Sequence, residues 1–72
     1  MRKPYLLIGM VNGHDITPKC YKTFNDAYNA MNRVINRYRL QLADESEING
    51  DMVYSMEQYR SWFHIQKRLC IA

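Results

Sequence analysis

The 72-residue sequence predicts an α+β domain in ββαββ order, with one amphipathic helix laid across a small antiparallel sheet. Three features lead there. An apolar run ends in Asn12-Gly13, apolar residues recur at three- and four-residue steps from Phe24 onward, and β-formers sit at two-residue spacing in the last third. A chain of this length makes one domain, near the size at which a single core is only marginally stabilising.

From Tyr5 to Val11 the residues are aromatic, β-branched or aliphatic apart from Gly9, which suits a strand. Asn12-Gly13 accepts the positive φ of a two-residue hairpin turn, so the chain should reverse there. That turn sets Val11 opposite His14, Met10 opposite Asp15 and Ile8 opposite Thr17, with Ile16 and Cys20 on the face of Tyr5 and Leu7. Pro18 donates no ladder hydrogen bond and requires an edge or a bulge.

Thr23 then caps a helix, and Asp26 places a negative charge at its positive end. Phe24, Ala27, Tyr28, Met31, Val34, Ile35, Tyr38 and Leu42 form one apolar stripe, which predicts about five turns ending near Ala43. Asp44-Glu45-Ser46-Glu47 and Asn49-Gly50 read as a connector and a breaker. In the last third, Met52 to Met56 and Trp62 to Lys67 alternate as two strands across a turn at Glu57 to Arg60. The alternative is ββαα, with residues 52–70 helical and Asp51 as its cap. The hairpin is favoured, because a helix would leave Tyr54 and Ile65 on its wet side.

Composition narrows the function. A hydrophobic share of 47%, with six tyrosines and one tryptophan, supports a packed core rather than disorder. The basic N-terminus imitates a signal peptide, but its apolar run is about seven residues long and no small-residue cleavage site follows. No stretch approaches the roughly 20 apolar residues of a membrane span, so no membrane is expected as a partner. Cys20 and Cys70 could pair only once, and two thiols in so small a chain favour a reducing, cytoplasmic setting over a disulfide framework. The net charge is +3, yet Asp44, Glu45, Glu47 and Asp51 share one segment, leaving ten bases against three acids elsewhere. An acidic partner would suit that remainder.

Catalytic motifs are missing: no phosphate-binding glycine loop, nucleophile elbow or H-E-x-x-H occurs, and a 72-residue domain has little room to desolvate a substrate. The expectation is a non-enzymatic protein without catalytic residues, cofactor or metal. His14 to Cys20 and His64 to Cys70 repeat a six-residue step, but structural zinc sites use shorter ligand pairs.

Two surfaces would bind rather than react. Tyr59, Arg60 and Trp62 are residue types that anchor protein interfaces, which suggests a small accessory, regulatory or inhibitory module of a phage, mobile element or host regulon. The alternative is nucleic-acid binding. Asn25, Asn29, Asn32 and Asn36 fall on one helical stripe beside Arg33 and Arg39, and asparagine and arginine can read adenine and guanine. Tyr21, Tyr59 and Trp62, interleaved with lysines and arginines, could also stack on unpaired bases while the charges hold phosphates. A homodimer through a free strand edge or an unfilled apolar face is a third expectation.

Overall fold

A computed structural model of the protein describes residues 2–71, with side chains for residues 3–68. The elements are β1 (Arg2–Val11), β2 (His14–Asp15), β3 (Lys19–Tyr21), α1 (Phe24–Arg37), β4 (Leu42–Ile48), β5 (Asp51–Met56) and β6 (Trp62–Ile71). Among the described residues all six strands join one antiparallel sheet in the order β2-β1-β6-β5-β4, and β3 continues beside β2 along β1. The helix lies against one face of this sheet, so the α+β class holds, with the C-terminal third folded as strands rather than as a second helix.

The first hairpin closes as its turn chemistry dictates. Asn12 and Gly13 take φ of 50° and 85°, and Val11 faces His14 while Met10 faces Asp15. The expected pairing of Ile8 with Thr17 does not form. Around Pro18 the return arm breaks into β2 and β3 and resumes one residue out of step, with Leu6 opposite Cys20 and Tyr5 opposite Tyr21. One extra residue turns every later side chain to the other face. Tyr21 therefore packs on the core in place of Cys20. Pro4 likewise coincides with a register shift between β1 and β6.

The helix starts as expected: the Asp26 amide donates to Thr23 Oγ1 at 3.1 Å. It ends six residues before Ala43, at Arg37. Arg39 turns into the left-handed region at φ 54°, its amide donates to the Asn36 carbonyl, and the Leu40 amide donates to that of Ile35. These two bonds are a Schellman closure, and the buried Leu40 is the apolar anchor that accompanies one. Leu42 thus leaves the helical stripe and is exposed on β4.

The acidic connector is the other correction. Residues 42–48 form β4, an edge strand exposed along its whole length. Asn49-Gly50, with φ of 52° and 88°, is a second tight hairpin turn that pairs Ile48 with Asp51.

The core lies between α1 and one sheet face, where Phe63, Met31 and Ile65 are the largest fully buried side chains. Leu7, Val11, Tyr54 and Met56 join them from the strands, and Ala27 and Ala30 let the helix come close. A ladder of rings, Tyr5, Phe24, Tyr28 and Tyr54, runs over the helix N-terminus with successive centroids 6.0 Å apart. Gly9 is needed where it stands, because a Cβ there would lie 2.6 Å from the Phe63 ring and 2.7 Å from the Trp62 carbonyl oxygen.

Candidate functional site

Side chains alternate across each strand, so the register of β1, β6 and β5 defines what the helix leaves uncovered. Tyr5, Leu7, Gly9 and Val11 face the helix, as do Phe63, Ile65 and Tyr54. The opposite face carries Leu6, Ile8 and Met10 on β1, Trp62 and His64 on β6, and Val53 on β5. In one row Ile8, His64 and Val53 stand side by side, and in the next Met10, Trp62 and Ser55. Toward the β4 edge the rows continue into Ser46 and Asp44, so an apolar field meets a polar, acidic rim.

No described element covers this face. An antiparallel sheet with one wet face ordinarily alternates apolar with polar residues, whereas a continuous apolar run marks a strand buried on both sides. β1 has the second pattern and the first situation. His64 sits in the middle of the face with Nε2 buried, without a hydrogen-bond partner, and 3.6 Å from Asp51 Oδ2. The other Asp51 oxygen accepts the Lys67 amide at 2.8 Å, which fixes the carboxylate beside the imidazole.

At the end of the sheet where Trp62 begins β6, three chain segments are tied together. Gly13 donates its amide to the Arg60 carbonyl at 3.1 Å, and Asn12 donates to Ser61 Oγ at 2.9 Å. The buried Ser61 hydroxyl donates in turn to the Tyr59 carbonyl, while the Glu57 amide donates to the Gln41 carbonyl. On this braced loop Tyr59 is 71% exposed, with the Arg60 guanidinium 5.2 Å from its ring centre. Arg60 holds φ at 45°, a conformation in which a side chain costs roughly 1 kcal/mol or more over glycine. Tyr59, Arg60 and Trp62 are thus gathered at one end of the molecule.

The asparagine stripe is only partly gathered. Asn25, Asn29 and Asn36 are exposed on α1 and Asn32 is half-buried. Arg33 is exposed on the same helix, but Arg39 lies beyond it in the Schellman closure and does not extend the stripe. His14 and His64 stand on β2 and β6 with β1 between them, and no group of three or more potential metal ligands occurs among the described residues. Cys20 is half-buried and disulfide-bonded, contrary to the free thiol expected for it. The Cys70 side chain lies outside the described residues.

Sequence reasoning found Trp62 but missed the rest of its face, because which side of β1 the helix covers depends on packing. The signal was the unbroken apolar run in β1. No family model, no curated protein and no solved structure matches this chain.

Proposed function

We infer that the protein is a non-enzymatic protein-binding module, of the accessory or inhibitory kind, that docks through its uncovered sheet face. The observation that carries this reading is the apolar field of Leu6, Ile8, Met10, Val53 and Trp62 lying opposite the helix. Its composition suits an interface, with Ile8 and Val53 flanking His64 in the middle, Met10 and Trp62 toward one end and polar groups at the β4 rim. Tyr59 and Arg60 extend it at one end, and retention of a strained arginine where glycine would be relaxed supports a use for that side chain. The partner that fits has an apolar ridge for the field and a carboxylate for Arg60. A disulfide at Cys20 takes away the thiol argument for a reducing compartment.

The test uses Trp62→Ser and Arg60→Gly in the full chain. A partner recovered with the wild type, and then purified, should bind at least tenfold more weakly to either variant, because each removes an interface anchor worth over 1.4 kcal/mol. Arg60→Gly should keep or raise the unfolding midpoint. Affinity for both variants equal to that for the wild type would sink the reading. Sedimentation at two concentrations shows whether the partner is a second copy of the chain.

A further inference from the structure

On the helix side of the sheet, away from the proposed docking face, α1 and β3 border a cleft of about 320 Å³ lined by Tyr21, Ala30, Arg33, Val34 and Arg37. The small Ala30 and Val34 share this lining with two arginines spaced four residues apart on one helix. Such a like-charged pair repels itself. Helix geometry would allow a carboxylate at a neighbouring turn to relieve it, yet none lines the cleft, and Asp26, the acid on this helix, is two turns before Arg33. Among the described residues neither arginine has an ion-pair partner, and the Arg37 guanidinium lies 5.9 Å from the centre of the Tyr38 ring. A third cation joins them: Lys19 Nζ stands 5.7 Å from the centre of the Tyr21 ring.

We propose that this cleft binds a phosphate monoester, with Arg33 and Arg37 as the pair of guanidiniums that grip the dianion. Two guanidiniums on adjacent turns can each present paired N–H donors to phosphate oxygens, the arrangement in which arginine outperforms lysine. Tyr21 supplies a phenol as a further donor and a ring against which a flat group attached to the phosphate can lie, with Lys19 adding positive potential behind it. The space suits a nucleotide-sized ligand, at the lower end of ordinary small-molecule sites. The ester could come as a free nucleotide or as the 5′-phosphate end of a nucleic-acid strand, because both present the same dianion. This site stands independently of the sheet-face reading, since it uses neither the same residues nor the same side of the sheet.

The experiment is an amide and arginine side-chain NMR titration of the full chain with four probes: inorganic phosphate, adenosine 5′-monophosphate, and a short single-stranded oligonucleotide with and without a 5′-phosphate. Saturable shifts centred on Tyr21, Ala30, Arg33 and Arg37 are expected with the monoesters. Arg33→Gln and Arg37→Gln should each weaken them at least tenfold, while Lys22→Gln changes affinity less than twofold. Tighter binding of the nucleotide than of the phosphorylated strand identifies a small-molecule site, and the reverse order identifies a strand end. Shifts that stay linear and spread over every basic residue, affinity untouched by both glutamine variants, or equal binding of the strand without its 5′-phosphate would each overturn the proposal. Spectra of the variants that superimpose outside the cleft establish that they remain folded.

Discussion

At the scale of single residues, Tyr54 joins the core to the acidic edge. It is 3% exposed on β5, and its phenol is held above the ordinary value of 10.0, first by burial, then by the negative charge of Glu45 and by Tyr28. The register explains the second cause, since Glu45 stands directly opposite Tyr54 on β4. Once pH exceeds 10.0, the unfolded chain releases this proton before the folded one does. Folding stability due to Tyr54 is therefore intact below that pH and declines as pH rises through the raised folded value. Urea midpoints measured from neutral to strongly alkaline pH should fall less steeply for Tyr54→Phe than for the wild type. Parallel curves would show that Tyr54 ionises as easily in the folded protein as in the unfolded one.

Among the elements, α1 shows where local signals suffice and where they do not. Thr23 and Asp26 mark its start in the sequence because capping is a short-range hydrogen bond between residues three apart. Its end was not legible, because Tyr38 and Leu42 continue the apolar spacing and no glycine marks the stop. What ends the helix is Leu40, drawn into the core with Arg39 forced to φ 54° to let it in. Arg39→Gly should relieve that strain and raise stability by about 1 kcal/mol, read as a higher urea midpoint at unchanged slope. A lower midpoint would mean that Arg39 makes a stabilising contact outweighing its backbone cost. β4 illustrates the same difficulty for strands: its acids carry no β-propensity, and it exists because β5 supplies a partner across Asn49-Gly50.

Over the whole molecule, the sheet has two apolar faces and one helix. Leu7, which faces the helix, is buried; Ile8 and Val53, which face away, are only half-buried. Leu7→Thr should cost roughly 2–4 kcal/mol, as loss of buried apolar volume together with a new unpaired hydroxyl does. Ile8→Thr and Val53→Thr keep strand-forming residues and should cost under about 1 kcal/mol each in the isolated protein. Thermal and urea unfolding of the three variants checks this, and equal losses at Leu7 and Ile8 would show that something in the chain already covers the second face.

By itself the sequence determined the Asn12-Gly13 turn, the helix start and the residue types Tyr59, Arg60 and Trp62, and it favoured strands over a second helix in the last third, all through interactions between residues close along the chain. The tertiary structure decided the helix end, the one-residue slip that exchanges Cys20 for Tyr21 on the core face, and the strand status of the acidic segment. It also decided which side of β1 is left bare, and that Arg33 and Arg37 border one cleft with Tyr21. Each of these depends on a neighbour distant in sequence, and a pattern of local spacing carries no information about which distant neighbour arrives.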